Sequence, residues 1–199
     1  MKRLAFLLAV IMMLACSITA CPLVAGAETT DYDFKSFYWG DTREKVISIE
    51  GTPDGEGNLP GTTSTYIAYE TTAVGMDALL GYYFCDEGLY AVRYILLEEH
   101  SNEALYIDDY EKFETALTKK YGKPLLDLEK WANDSKKEYY ADRKGDALCY
   151  GYLTYETVYS SGRASIVMSM SADNYEITTT IDYMSFDIDG EEADYSSEV

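Results

Sequence analysis

The hydrophobic and polar positions of the chain predict a short helix early in its first half. Asp41 and Glu44 have the spacing of a capping box, in which side chains hydrogen-bond the free backbone N–H groups at a helix start. The apolar residues at positions 46, 47 and 49 give this helix one face to bury. Gly51 and Pro53 then end it, because glycine suits the residue after a helix and proline cannot continue one.

Strand patterns follow this helix. Residues 54–63 are rich in glycine and proline and predict a loop. Apolar and aromatic runs at 65–71, 78–85 and 89–97 predict three strands. The last two runs are separated only by Asp86-Glu87-Gly88, which is typical of a β-hairpin. The first half therefore reads as one helix followed by antiparallel strands.

The second half has the same plan. Asp108 and Glu111 are a second predicted capping box, and a buried stripe follows at three- and four-residue spacing. The stripe consists of Tyr110, Phe113, Leu117 and Tyr121. Gly122 and Pro124 end this helix as Gly51 and Pro53 end the first.

The rest of the second half predicts more strands. Trp131 is expected to fill a core near the start of this sheet, and residues 133–144 fit either a helix or a strand and turn. Strands are predicted over 147–155, 164–171 and 176–186, with a turn at Asp173-Asn174.

These patterns predict an α+β fold of two similar modules, each a capped helix packed on an antiparallel β-sheet. The modules are expected at residues 28–105 and 106–186. Residues 1–27 are interpreted as a signal peptide, and residues 187–199, which hold six acids and no base, as an acidic disordered tail.

The signal segment predicts export. Lys2-Arg3, an apolar stretch and the small residues Ala25-Gly26-Ala27 are the three parts of a secretory signal. Three outcomes stay open: cleavage after Ala27, lipidation of Cys21 within a lipobox-like Ile18-Thr19-Ala20-Cys21, or retention as a membrane anchor. We expect a secreted or cell-envelope protein with no transmembrane span after cleavage, tethered to a membrane only if Cys21 is lipidated.

The charge of the chain excludes one class of partner. The chain has 16 basic and 35 acidic residues, a net charge of −19. Cleavage after Ala27 would remove only Lys2 and Arg3, leaving 14 bases, 35 acids and a net charge of −21. Nucleic acid is therefore not an expected partner, since its phosphates require a basic surface.

Aromatic residues suggest a binding surface. The chain has 20 tyrosines, which favour half-buried sheet surfaces where the ring packs and the hydroxyl reaches water. Trp39, Tyr150 and Tyr152 are the candidate binding residues, with Tyr150 and Tyr152 expected on one face of a strand. Packing on the sheet surface is the alternative interpretation of the same residues.

Other chemistry-bearing residues give weak signals. Cys85 and Cys149, both in strand-like runs, could form a disulfide or be separate buried thiols. His100 is the only histidine and is expected in a loop among solvated acids. The run from Asp187 to Glu198 has the length of a calcium loop but lacks its glycine at the sixth position. We therefore predict no metal, no cofactor and no catalytic residue.

A resemblance is carried by the first helix and hairpin. The segment from Trp39-Gly40-Asp41 to Gly51-Thr52-Pro53, followed by the hairpin around Cys85-Asp86-Glu87-Gly88, resembles the helix-plus-hairpin module of SmpA/OmlA outer-membrane lipoproteins and of β-lactamase inhibitor protein. With Tyr121-Gly122-Lys123-Pro124, the chain also resembles a group of uncharacterised exported bacterial proteins. The resemblance implies a fold and a habit of binding proteins, not a reaction.

The function expected from the sequence is a non-catalytic binding or structural role at the cell envelope, with a protein as partner. The alternative is a secreted enzyme that acts on a polymer through paired carboxylates. A broad concave aromatic sheet would favour the first, and a deep cleft with two facing carboxylates would favour the second.

Overall fold

A computed structural model describes residues 32–188 and residue 190. It shows one antiparallel sheet of eight strands together with four helices. The strands are β1 (Gly55–Asn58), β2 (Thr65–Ala73), β3 (Met76–Cys85), β4 (Gly88–Leu96), β5 (Leu126–Trp131), β6 (Leu153–Ser160), β7 (Ala164–Asp173) and β8 (Glu176–Ser185). The helices are α1 (Arg43–Glu50), α2 (Ala104–Tyr121), α3 (Asp134–Tyr139) and α4 (Lys144–Cys149).

The strand order places each half of the chain on one side of the sheet. The order is β1-β2-β3-β4-β8-β7-β6-β5, so β1 and β5 are the edges and β4 pairs with β8 in the middle. Arg93 of β4 lies directly opposite Asp182 of β8 in this central pair. The halves therefore share one continuous sheet.

Helix α1 ends as predicted but begins differently. Its N-cap is Thr42, whose hydroxyl accepts a hydrogen bond from the Lys45 N–H at 3.3 Å. The predicted cap, Asp41, instead accepts one from the Tyr38 N–H at 2.9 Å, which stabilises the turn before the helix. Gly51 ends the helix at a φ of 96°, a conformation that favours glycine.

Helix α2 is longer than its sequence pattern predicts. It begins at Ala104, whose N–H is held by the Asn102 side chain at 3.1 Å, so the predicted cap Asp108 lies inside the helix. The predicted stripe is largely confirmed, since Tyr110, Phe113 and Leu117 are buried, while Tyr121 is half-buried.

The main core lies between the helices and one face of the sheet. Tyr82 is fully buried there, and its hydroxyl donates to Glu50 Oε1 at 2.6 Å. Trp39 belongs to the same core with only 8% of its surface exposed. A smaller cluster around Tyr83 occupies the opposite face, as expected from the alternation of side chains along a strand.

Three local predictions are wrong. The predicted loop 54–63 contains strand β1, which pairs with β2. Trp131 is only half-buried, at the end of edge strand β5, and its Nε1 donates to Glu129 at 2.7 Å. The strand predicted from Ala147 begins only at Leu153, because Ala147 lies in helix α4.

Several predictions concern residues that the structure does not describe. They are the signal peptide, the lipidation of Cys21, and most of the tail with its calcium-loop pattern. Over the described part of the chain, none of the helices combines the length and apolar character needed to cross a bilayer.

Candidate functional site

Five tyrosines gather at one end of the sheet, and we call them the tyrosine cluster. They come from the connection between β5 and β6 and from the turn between β7 and β8. Tyr139 ends α3 and Tyr140 follows it, Tyr150 follows α4, Tyr152 immediately precedes β6, and Tyr175 lies on the β7–β8 turn.

The rings of the cluster form one connected series of contacts. The centroid of Tyr140 lies 4.8 Å from that of Tyr139, 5.7 Å from that of Tyr152 and 6.1 Å from that of Tyr150. Tyr150 and Tyr175 meet edge to face, with centroids 5.9 Å apart and planes at 86°. All these distances fall within the range of favourable aromatic pairs.

Three members of the cluster present their rings to solvent. Tyr139 and Tyr175 are each 68% exposed, and Tyr150 is 50% exposed. Single exposed aromatics are common on protein surfaces, but a contiguous exposed group marks a candidate binding surface.

Two basic side chains of this chain lie over the cluster. Lys136 Nζ lies 3.8 Å from the ring centroid of Tyr152, and the Arg143 guanidinium lies 5.1 Å from that of Tyr139 and 5.0 Å from that of Tyr140. These are cation–π distances, so the ring faces of the cluster already hold positive charge.

The segment that carries most of the cluster differs in charge from the rest of the chain. Residues 132–152, which hold four of the five tyrosines, contain four acidic and four basic residues and are electrically neutral, in a chain whose net charge is −19. A neutral segment rich in tyrosine therefore belongs to a strongly acidic protein.

The β7–β8 turn has an unusual residue at its tip. This two-residue hairpin places Asn174 at a φ of 53° and Tyr175 at a φ of 70°. Such left-handed positions favour glycine and, less strongly, asparagine; a bulky side chain there is strained. The Cys149 thiol donates to the Tyr175 carbonyl at 3.7 Å and ties the turn to α4.

The structure unites two of the three predicted binding residues. Tyr150 and Tyr152 belong to the cluster, but both lie before the start of β6 and so do not share a strand face. Trp39 is buried in the core, so its prediction as a surface residue is wrong. The sequence pattern did not identify Tyr139, Tyr140 and Tyr175 as binding residues. For Tyr139 and Tyr140 a signal was present, because they are an adjacent tyrosine pair within a highly charged segment.

Cys85 and Cys149 are free thiols and form no disulfide in this structure. Cys85 ends β3 beside the β3–β4 turn, and Cys149 contacts the β7–β8 turn. The strand pairing places those turns at opposite ends of β8, about 30 Å apart for a ten-residue strand. A disulfide needs Cα atoms within roughly 7 Å. Moreover, Cys149 ends a helix and is not on a strand.

His100 has a partner that the sequence did not suggest. Its Nε2 lies 2.6 Å from Oδ2 of Asp109, which is buried, and Lys112 Nζ donates to Asp109 Oδ1 at 2.7 Å. Burial raises the pKa of Asp109, but the hydrogen bonds from Lys112 and His100 outweigh it and hold the pKa below its usual value. The group fastens the loop before α2 to that helix.

Carboxylates line two cavities among the described residues, with Glu98 and Asp109 in the smaller one. The larger cavity, about 350 Å³, lies beside Thr42 and Arg43 and includes Asp86 and Glu87, which are neighbours on a single turn. Between α2 and β5, burial raises the pKa of Glu114, and the charges of Asp127 and Glu111 raise it further. No group of three metal-binding side chains occurs within the described residues.

Comparison with known proteins finds no match for this chain among protein families, curated proteins or solved structures. The resemblance to SmpA/OmlA and β-lactamase-inhibitor modules therefore stays a prediction, and the tyrosine cluster is the candidate functional site on its own geometry.

Proposed function

We propose that this protein is an exported, non-catalytic binding protein that recognises a protein partner through the tyrosine cluster. The observation that carries the proposal is the contiguous exposed surface of Tyr139, Tyr150 and Tyr175. Tyrosine and arginine dominate the energetics of protein interfaces, because both offer a large contact area together with hydrogen-bonding groups. Arg143, stacked on two of the rings, adds to this character.

The position of the cluster in the fold supports the proposal. We propose that the halves of the chain are two similar modules, as the mirrored strand order around β4 and β8 suggests. Residues 59–64 join β1 to β2, whereas the corresponding β5–β6 connection contains both α3 and α4. The tyrosine cluster lies largely on this extra segment, where a change leaves the common sheet intact. Binding residues are often carried on such connections over a rigid scaffold.

Export is part of the same proposal. Cleavage after Ala27 would release the protein, and lipidation of Cys21 would tether it to a membrane through acyl chains. The mass of the N-terminal peptide of the protein recovered from cells distinguishes the two. Recovery of uncleaved Met1 in all of the protein would contradict both.

The binding proposal is tested by crosslinked affinity capture from the producing cells, followed by mass identification. The bait is the natural chain, compared with a Tyr139→Ser/Tyr150→Ser/Tyr175→Ser variant. We expect one or more proteins to be enriched by the natural chain and lost with the triple variant.

The matched control is Tyr32→Ser, which changes an exposed tyrosine outside the cluster and should capture the same partner. Circular dichroism and thermal unfolding confirm that each bait is folded. A partner captured equally by all three baits would show that the cluster is not the binding surface.

The alternative, a secreted enzyme acting on a polymer through paired carboxylates, is favoured by one observation. The raised pKa of Glu114 beside Asp127 is the environment that a general acid needs. Release of reducing ends from envelope polysaccharides, abolished by Glu114→Gln, would establish this activity. We prefer the binding proposal because the two carboxylates of the larger cavity, Asp86 and Glu87, are neighbours on a single turn.

A further inference from the structure

We infer that Tyr150 and Tyr175 form a corner that receives a lysine or arginine side chain of a basic polypeptide. This inference rests on the proposed function and narrows the chemistry of the partner. It draws on the backbone of the β7–β8 turn, on the geometry of the two rings, and on the charges around them.

The backbone argument concerns where the chain places Tyr175. The β2–β3 hairpin also has a two-residue turn, and its second residue is Gly75 at a φ of 78°. In the β7–β8 hairpin the equivalent position holds Tyr175 at a φ of 70°. A residue with a side chain pays a conformational cost there that glycine avoids. Since Tyr175 is 68% exposed, its burial does not explain that cost, whereas binding through its ring would.

The ring geometry fits a cation. Tyr150 and Tyr175 stand almost perpendicular, so a group in the corner meets a ring face on one side. The neighbouring rings Tyr140 and Tyr152 show that this cluster binds cations, since Lys136 lies over both of them. Among the residues described, no basic side chain of the chain itself lies over Tyr150 or Tyr175. Tyr150 is 50% and Tyr175 68% exposed, so a cation from outside can reach both rings.

The charges around the corner favour a positive ligand. Asp173 and Glu176 flank the turn and are exposed. Glu103 and Asp146 lie close enough to Cys149, which contacts the turn, to raise the pKa of its thiol in addition to the effect of burial. Negative potential raises the local concentration of cations and accelerates their association.

The net charge of the whole chain favours a basic polypeptide as the partner over a second copy of this chain. Two copies would each bring a net charge of −19 to the interface and repel one another. A basic polypeptide would instead be attracted to the acidic surface and anchored at the aromatic corner. Complementary charge of this kind increases the association rate and sets the orientation of binding.

The test uses three fluorescent peptides of alternating sequence, arginine–glycine, glutamate–glycine and leucine–serine, titrated with the purified full-length chain at physiological salt. We expect the arginine peptide to bind, and Tyr175→Leu to weaken that binding about three- to ten-fold. Tyr175→Phe keeps the ring and should bind like the natural chain. Tyr32→Leu removes an exposed tyrosine elsewhere and should also bind normally.

Two outcomes would overturn the inference. Equal affinities for the natural chain, Tyr175→Leu and Tyr32→Leu would show that the arginine peptide binds only through general acidic attraction. If Tyr175→Leu weakened binding of the leucine peptide but not of the arginine peptide, the cluster would be a binding surface for an apolar partner, so the proposed function would stand without the cationic ligand. The proposed function itself fails separately, if the captured partner is indifferent to the tyrosine cluster.

Discussion

Tyr175 adopts a backbone conformation that is unfavourable for a residue with a side chain. Its φ of 70° is tolerated because the flanking strands β7 and β8 pair along their full length and the Cys149 thiol holds its carbonyl. The residue before it, Asn174, adopts the left-handed region more readily, because its short polar side chain can interact with the nearby backbone. The strain is therefore concentrated on Tyr175.

Replacing Tyr175 with glycine should stabilise the fold. Tyr175→Gly removes the left-handed penalty but increases the entropy of the unfolded chain, so we expect a gain of about 0.5–1 kcal/mol in the free energy of unfolding. Urea unfolding followed by circular dichroism measures it. The converse control is Gly75→Ala, whose added Cβ meets no atom within 4 Å, so its expected loss of about 1 kcal/mol comes from the backbone alone.

A variant Tyr175→Gly that was less stable than the natural chain would show that packing of the ring against Tyr150 outweighs the backbone strain. Tyr175 would then impose no net cost on the fold, and the inference of a cation-binding corner would lose its backbone argument.

At the scale of elements, helix α2 depends on contacts along one face and at its start. Its buried face follows from side-chain spacing, since residues three and four apart lie on one side of a helix. Tyr110 shows the match in detail, because its hydroxyl lies 2.8 Å from Thr157 Oγ1 of β6. The start of the helix depends instead on the preceding loop, where His100 reaches Asp109 and Asn102 holds Ala104.

Removing the Asp109 carboxylate should cause a loss of stability that depends on pH. Because the folded pKa of Asp109 is lowered, its stabilisation is fully present above the unfolded pKa of about 3.9 and is lost as the pH falls through the folded pKa. We expect Asp109→Asn to lower the free energy of unfolding by about 1–2 kcal/mol at pH 7, and by less at pH 3.

Urea unfolding at pH 7, 5 and 3 checks this prediction. The control is Asp108→Asn, an exposed neighbour on the same helix, which should change stability little at any pH. A loss that is the same at pH 7 and pH 3 would mean that Asp109 stabilises the helix without its charge.

At the scale of the whole molecule, the joint between β4 and β8 unites the two halves of the chain. Arg93 and Asp182 form a nearly buried ion pair across it, with 15% and 12% of their side chains exposed. Thr180 Oγ1 donates to the same aspartate at 3.3 Å. Removing the two charges from water offsets much of their mutual attraction, so the net stabilisation from such a pair depends on good geometry.

Breaking this pair should cost more than replacing it. Asp182→Leu leaves Arg93 buried beside an apolar group, and we expect a loss of about 3–5 kcal/mol. The double variant Arg93→Leu/Asp182→Leu should lose less than the single one, because no buried guanidinium then lies beside an apolar group. Chemical unfolding of the natural chain, the two single variants Arg93→Leu and Asp182→Leu, and the double variant measures the coupling energy of the pair.

Lys130–Glu156 is the matched control, an ion pair between neighbouring strands whose lysine is exposed. Its removal should cost at most about 1 kcal/mol. If Asp182→Leu were as mild as Glu156→Leu, the central pair would be as well solvated as a surface pair and would contribute little to joining the halves.

Prediction from the sequence succeeded where the signal is local. The hairpin Cys85–Gly88, the helix end at Gly51 and the stripe of α2 each depend on residues a few positions apart. It failed at β1, whose Gly-Glu-Gly-Asn sequence has no strand pattern and pairs only because β2 offers an edge. The prediction for Trp39 was also wrong, because a tryptophan beside a helix start can face either the core or the solvent.

The candidate site was predictable only in part. Tyr150 and Tyr152 were identified, but the tyrosine cluster joins them to Tyr139, Tyr140 and Tyr175, up to 25 positions away along the chain. Nothing in the local pattern links Tyr175 to the others. That contact exists only after the β7–β8 turn and α4 arrive at the same end of the sheet.

The sequence by itself determined the acidic charge, the α+β character and most of the strands, because composition, turn residues and side-chain periodicity act over short distances. Tertiary structure alone decided that both halves share one sheet through β4 and β8, that Asp109 faces His100, and that five tyrosines form one surface. These features depend on contacts between distant residues, and their geometry is fixed only when the whole sheet has assembled.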